Sequence, residues 1–249
     1  MRIVSYNIRF GGGRRLPYIA GVIDELGPDV VLLQEATNPT SVDELARRSG
    51  LPHALRRPGW SVAGLFREEP AAHRWHRPSR GRGFLEVVPA GEDAVAGMRI
   101  VNLHLAAGLS RRGERARRAQ VENLVEWLGG AADERTLLVG DLNAVARGDL
   151  PRVAGMPFWL RMLLRFDGGI RTEVLDRLGE AGWVDAFRHL NPGATGFTLP
   201  AGAPQVRLDY ALVPPAIVPH VASCEPVASS IAPLASDHLP LLTVIDGDA

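Results

Sequence analysis

The sequence predicts one mixed α/β (α+β) domain, on three observations. Short apolar runs that read as buried strands end in polar side chains. Ile3-Val4 leads to Asn7, Val30-Val31-Leu32-Leu33 to Gln34-Glu35, and Leu137-Leu138-Val139 to Asp141, while Arg99 to Leu105 surrounds Asn102 and His104. Stretches with helical spacing separate the first strands, and from His53 to Val88 short segments bounded by Gly and Pro read as antiparallel hairpins. With 249 residues, 46% of them hydrophobic, the chain can bury one sizeable core. No linker, low-complexity tract or repeat divides it, so residues 1–249 are expected to form a single domain.

Taken in order, a strand ending at Asn7 precedes a helix over Pro17 to Leu26, where Ile19, Val22, Ile23 and Leu26 fall on one face. The strand ending at Glu35 follows, then a helix over Ser41 to Arg48 that starts on a capping residue. Trp60 to Phe66 and Gly83 to Val88 supply hairpin strands, and a helix from about Glu114 to Leu128 follows the strand of His104. The segment Val145 to Ile170 contains the most apolar stretch, Met156 to Phe166, which can pack as an amphipathic helix or lie as a lid over a cleft. It is too short to span a bilayer and carries Arg161 and Arg165. Strands over Arg207 to Val213 and Leu239 to Ile245 close the chain. The first residues enter a strand with no leader-like segment, so a soluble, cytoplasmic monomer is expected.

Composition excludes several chemistries. The formal charge is zero, which argues against a protein that coats polyanions indiscriminately. All 28 cationic side chains are arginine, so mechanisms that need a Schiff-base or P-loop lysine are out. A single cysteine, Cys224, allows no internal disulfide or zinc–thiolate cluster and reads as a small buried apolar residue.

Six polar motifs remain: Ser-Tyr-Asn ending at Asn7, Gln34-Glu35, Asn102-Leu-His104, Gly140-Asp141-Leu-Asn143, Arg207-Leu-Asp209-Tyr210 and Ser236-Asp237-His238. Strand side chains alternate, so Ser5 and Asn7 share a face, as do Asn102 and His104, Asp141 and Asn143, and Arg207 and Asp209. Val4, Tyr6, Leu103, Leu105, Leu142, Leu208 and Tyr210 point the other way, so several polar faces can line one cleft. Carboxylates, carboxamides and imidazoles are the groups that handle a hard divalent cation and a phosphate ester. A carboxylate at a strand end such as Glu35 needs a partner, water or a cation to offset desolvation.

In that order, from Met1 to about Ile245, the motifs resemble the endonuclease/exonuclease/phosphatase superfamily, which is similar in fold to DNase I, abasic-site endonucleases, neutral sphingomyelinases and inositol polyphosphate 5-phosphatases. Ser-Asp-His-Leu-Pro and Gly-Asp-Leu-Asn are its most specific pieces. The resemblance implies a four-layer sandwich, two packed mixed sheets with helices on the outer faces. It implies Mg²⁺ or Mn²⁺ held by Glu35, with Asn7 and Asp237 beside it, and catalysis by His104, Asp141, Asn143, Asp209 and His238. Asp141 would position or deprotonate the attacking water, Asn143 would hold it in line, and Asp209 would fix the tautomer of His238; either Asp141 or His238 could take the proton.

His104, where the DNA-repair branch usually presents a tyrosine, and Gln-Glu-Ala-Thr without the repair enzymes' lysine both weigh against a dedicated abasic-site nuclease. Arg111, Arg112 and Arg118, in the basic cluster after His104, are candidates for a substrate phosphate; a solvated helix face is the plainer reading. His53, His73, His76, His189 and His220 read as loop or hairpin-end residues without ligand spacing. The expected activity is hydrolysis of a phosphodiester in nucleic acid or a small molecule. The alternatives are a phosphomonoesterase or lipid phosphodiesterase of the same superfamily and, for a chain with degraded motifs, a silent binding module.

Overall fold

Strand runs that are apolar on both faces call for cover on both sides, and the architecture supplies it. The computed structural model describes residues 1–78, 81–90, 97–108, 110–167 and 169–246. In chain order the strands are β1 (Arg2–Asn7), β2 (Val30–Gln34), β3 (His53–Leu55), β4 (Val62–Phe66), β5 (Ala72–His76), β6 (Phe84–Val88), β7 (Arg99–His104), β8 (Thr136–Asp141), β9 (Val184–Asp185), β10 (Asp209–Val213), β11 (Val221–Pro226) and β12 (Leu241–Ile245). The helices are α1 (Leu16–Leu26), α2 (Pro39–Arg48), α3 (Arg111–Trp127), α4 (Phe158–Phe166), α5 (Glu173–Glu180), α6 (Ala186–Leu190) and α7 (Ala232–Ala235). Two six-stranded mixed sheets result, ordered β11-β12-β1-β2-β4-β3 and β5-β6-β7-β8-β10-β9. The parallel pairs β1/β2 and β7/β8 lie at their centres.

Three of the four apolar clusters among the described residues fill the layers. Ile3, Val30, Leu32 and Leu241 from the first sheet meet Ile100, Leu137, Val139, Ala211 and Val213 from the second. On the first sheet's outer face Val4, Tyr6, Val31 and Leu33 pack with Ile19, Ile23 and Leu45 of α1 and α2. Val101, Leu103, Leu138 and Tyr210 pack on the other outer face with Val121, Leu124 and Leu178 of α3 and α5. The result is the expected four-layer α/β sandwich.

The inner face changes character along its length. Ile3, Ser5 and Asn7 follow one another on β1, Leu32 and Gln34 on β2, Ile100, Asn102 and His104 on β7, and Leu137, Val139 and Asp141 on β8. At one end these positions are apolar. Above that layer the Gln34 side-chain amide donates to Asn102 Oδ1 (2.8 Å) and to Ser5 Oγ (3.2 Å). Asn102 Nδ2 donates to the carbonyls of Leu33 (3.0 Å) and Ala63 (2.9 Å). Gln34 and Asn102 therefore tie the two sheets together beneath the cleft, and Ser5, bonded to Gln34 within its own sheet, is part of that layer rather than of the cleft lining. Every polar group in this layer is completely buried, which is affordable only because the groups satisfy one another.

Several elements differ in extent from the sequence pattern. α2 starts at Pro39, two residues early, because Asn38 accepts a hydrogen bond from the Thr40 amide and Pro39 occupies the first turn. α3 starts at Arg111 because Ser110 caps it through the Gly113 amide. His53 begins β3 and His76 ends β5, at hairpin ends as expected, and His73 is near the start of β5, but His189 lies in α6. The hairpin region splits between sheets: β3 and β4 pair in the first, β5 and β6 in the second. Cys224 is buried, as its composition suggests, and burial pushes its thiol up to about 12. No helix among the described residues is long and apolar enough to cross a membrane.

Candidate active site

The cleft opens where the inner-face polar positions reach the ends of the central strands. In the second sheet Asp141 is paired in register with His104 of β7 on one side and Asp209 of β10 on the other. Asn7 ends β1 opposite Gln34, so Glu35 emerges directly after β2. Gly140 makes this register possible. Its φ is 146°, and a Cβ there would lie 2.0 Å from the Leu103 carbonyl oxygen, so no other residue fits.

Backbone strain gathers at the rim. Glu35 (φ 54°), Asn143 (48°), Arg9 (51°) and Phe10 (50°) all occupy the left-handed region. Each such non-glycine residue costs on the order of 1–3 kcal/mol and persists only where its surroundings hold it. Here the Phe10 amide donates to Glu35 Oε2 (2.7 Å), the Arg9 amide to Asn7 Oδ1 (2.9 Å) and the Asn143 amide to Asp141 Oδ1 (2.9 Å). The segment after Asn143 is clamped by Tyr210, whose hydroxyl donates to the Ala144 carbonyl (3.0 Å) and accepts from the Ala146 amide (3.1 Å).

The two sheets meet at Asn7. Its Nδ2 reaches Asp141 Oδ2 at 3.0 Å and Glu35 Oε1 at 3.5 Å, so carboxylates from opposite sheets share one amide. Asn143 Nδ2 donates to the same Asp141 oxygen at 3.0 Å. His104 Nε2 lies 3.8 Å and His238 Nε2 4.0 Å from it. Asp209 Oδ2 is 2.8 Å from His238 Nδ1, and its Oδ1 is buried with no hydrogen-bond partner among the described residues. Ser236 fixes the last motif by donating to the Asn7 carbonyl (2.6 Å) and accepting from the His238 amide (3.4 Å).

Electrostatics separate the two imidazoles. Burial pushes His104 down to about 4, against the pull of Asp141 and with help from the Arg82 guanidinium. For His238 burial also acts downward, but Asp209 and Asp141 outweigh it and lift it to about 10. Burial raises Asp141 itself, reinforced by Asp209 and opposed by His238.

Asp141, Asp209 and His238 also offer ligand atoms within 4.8 Å of one another, close enough to hold a cation by distance alone. The Asp209–His238 hydrogen bond, however, already engages Nδ1 and one carboxylate oxygen. Glu35 and Asp141 are left as hard carboxylate oxygen donors on either side of Asn7 Nδ2, while Asn7 Oδ1 is taken by the Arg9 amide and Asp237, 38% exposed, lies 3.5 Å from Arg9. That donor set suits a hard divalent ion and not a soft one.

Other residues singled out by sequence lie elsewhere. Arg207 is buried in ion pairs with Asp149 (2.9 Å) and Asp185 (2.6 Å) and covers the Tyr210 ring, so it supports β10 instead of lining the cleft beside Asp209. Arg111 is engaged by Asp167 and Arg118 by Glu173 (2.8 Å), while Arg112 is exposed on the first turn of α3. The cleft recruits a different arginine. Arg82 donates through Nη1 to His104 Nε2 and to the Leu105 carbonyl (3.3 Å). Its one sequence signal is the glycine on either side of it, which is easily lost among 28 arginines.

The sequence profile of the Endonuclease/Exonuclease/phosphatase family matches residues 4–238, a span that includes every site residue named above. The chain belongs to this family. It is accordingly a hydrolase of phosphoester bonds, in a family that generally depends on divalent metal, and its own buried acidic cluster is in keeping with that. No curated protein sequence matches the chain. Among solved structures it is similar to an AP endonuclease from Archaeoglobus fulgidus, with 19% identity over 99% of both chains and a TM-score of 0.75. A 3′-5′ exonuclease, NExo, from Neisseria meningitidis has 18% identity, 99% coverage of this chain and 100% of its own, and a TM-score of 0.72. The 3′ phosphatase NExo from Neisseria, bound to a product DNA hairpin, has 18% identity over 99% of both chains and the same TM-score. At these identities the likeness establishes the shared fold.

Proposed function

We propose that the chain is a phosphodiesterase, acting on nucleic acid or a small phosphodiester with Mg²⁺ or Mn²⁺ and working as a single-domain monomer. The observation that carries this reading is the meeting of Glu35 and Asp141, from opposite sheets, at Asn7 Nδ2, beside the Asp209–His238 pair. Glu35 and Asn7, with Asp237 at the rim, would hold the ion, which when bound supplies Lewis-acid stabilisation of phosphoryl charge. Asp141 Oδ2 and His238 Nε2 are 4.0 Å apart, so one water can touch both. Asp209 occupies Nδ1 and leaves Nε2 facing Asp141, so Asp141 or His238 can take the water's proton. Asn143, held to Asp141 by two hydrogen bonds, keeps water and phosphoryl group in line.

That two fold neighbours are an exonuclease and an AP endonuclease supports a nucleic-acid substrate. A second reading, removal of a terminal phosphate from DNA, is favoured by the neighbour described as a 3′ phosphatase. The lipid reading gains little, because Phe158 and Trp159 are 68% and 66% exposed. A metal-supplemented panel of single- and double-stranded DNA, RNA, bis-p-nitrophenyl phosphate, simple monoesters and sphingomyelin tests the proposal. Turnover of diesters is expected; turnover of monoesters or sphingomyelin alone would refute it.

A further inference from the structure

Beside the cleft lies a pocket of about 530 Å³, within the roughly 300–1,000 Å³ common for small-ligand sites, and none of its described lining residues is acidic. Thr37, Trp60, Ser61, Arg77, Arg82 and Gly83 are among its lining residues. The pocket adjoins the site on two sides. The Thr37 amide donates to the Glu35 carbonyl (2.8 Å), and the Ser61 carbonyl accepts from the Ala36 amide (3.0 Å). On the other side Arg82 lines the pocket and also reaches His104 Nε2, so its guanidinium is the partition between pocket and site.

The cations here are held in place. A Cβ on Gly83 would fall 2.0 Å from the Trp60 ring, and one on Gly81 would fall 2.4 Å from the Gln120 amide. Arg82 therefore sits between two glycines whose backbone is pressed against fixed neighbours. Trp60 packs edge-to-face on Trp75 (5.0 Å) and carries the guanidinium of Arg77 at 5.0 Å and of Arg57 at 5.5 Å from its ring centroid. Arginines stacked on a buried aromatic ring lose little further freedom when they grip an oxyanion, and their planar forks match phosphate.

We infer that Arg77 and Arg82, backed by Trp60, form a subsite for a second phosphate of the substrate, one linkage from the bond being cut. This deepens the phosphodiesterase reading and rests on it: the substrate class becomes a nucleic-acid strand, and a diester carrying a single phosphate leaves the subsite empty. DNA and RNA share the chemistry that is recognised.

The test compares Arg77→Gln and Arg82→Gln with the wild type on two probes, a trinucleotide and bis-p-nitrophenyl phosphate. Calorimetric binding is measured in EDTA, and KM is measured with Mn²⁺. Each variant is expected to weaken trinucleotide binding about 5–20-fold more than binding of the small diester, and to reduce the log–log salt slope by about 0.7. Arg147→Gln, an equal charge change in the exposed pair with Asp176, should leave the discrimination at its wild-type value. Thymidine and uridine trinucleotides show which sugar is preferred, and selective loss with either supports the subsite. Equal losses on both probes, or no loss in Arg77→Gln, would overturn it. If the binding difference holds while no diester is hydrolysed, the subsite stands and the phosphodiesterase reading fails.

Discussion

Asp209 and His238 stand 29 residues apart in the chain and share a 2.8 Å hydrogen bond. Replacing either by Ala should lower turnover by at least about 10²–10⁴-fold, the usual worth of a positioned acid–base group, with circular dichroism and Tm near those of the wild type. Near-normal activity in both variants would refute the pair. The two cleft histidines also predict how the metal-free protein responds to pH. His238 titrates near 10 when folded and near 6.5 when unfolded, so its contribution is complete below about 6.5 and fades as pH rises towards 10. His104 has the opposite sign. Its folded value near 4 means that stability is full above about 6.5 and is lost as pH falls through that window. Urea midpoints should therefore decline on both sides of neutrality, and His104→Gln should flatten the acid limb; an unchanged acid limb would remove His104 from the account.

At the scale of elements, β10 depends on a buried charge. Arg207 satisfies Asp149 and Asp185 from a side chain only 1% exposed, and it covers Tyr210, whose hydroxyl in turn holds the segment after Asn143. Arg207→Ala strands two carboxylates and is expected to cost about 3–5 kcal/mol in urea unfolding. A cost near zero would mean that water enters the gap. α4 predicts the reverse. With Trp159 66% exposed, Trp159→Ser should change stability by no more than about 0.5 kcal/mol. A larger loss would show that the helix packs through this residue.

For the whole molecule, the site is a seam. Glu35 comes from one sheet and Asp141 from the other, so a cation between them should bind the folded chain and not the unfolded one. Saturating Mn²⁺ or Mg²⁺ at about 100 times Kd should stabilise by about 2.7 kcal/mol, read as a rise in Tm that Glu35→Gln abolishes. EDTA should stop hydrolysis, and either ion should restore it. A Tm and a rate both indifferent to EDTA would rule out the metal reading.

The sequence alone determined where strands end in polar groups, which of those groups share a strand face, and the motif order that identifies the family. These are local properties, fixed by a side-chain period of two and by residue type. It could not tell Ser5 and Asn102, which belong to the buried layer beneath the cleft, from Asn7 and His104 two residues further along the same faces. Depth along a face has no local signature; it depends on what the opposite sheet presents. The same limit hid Arg82, whose place comes from the packing of Gly83 on Trp60 and Gly81 on Gln120, and it allowed Arg207 to be read beside Asp209 when its charge belongs to Asp149 and Asp185. Only the tertiary structure decided those partners, because pairing between residues distant in sequence follows from how two sheets stack and not from the chemistry of either strand.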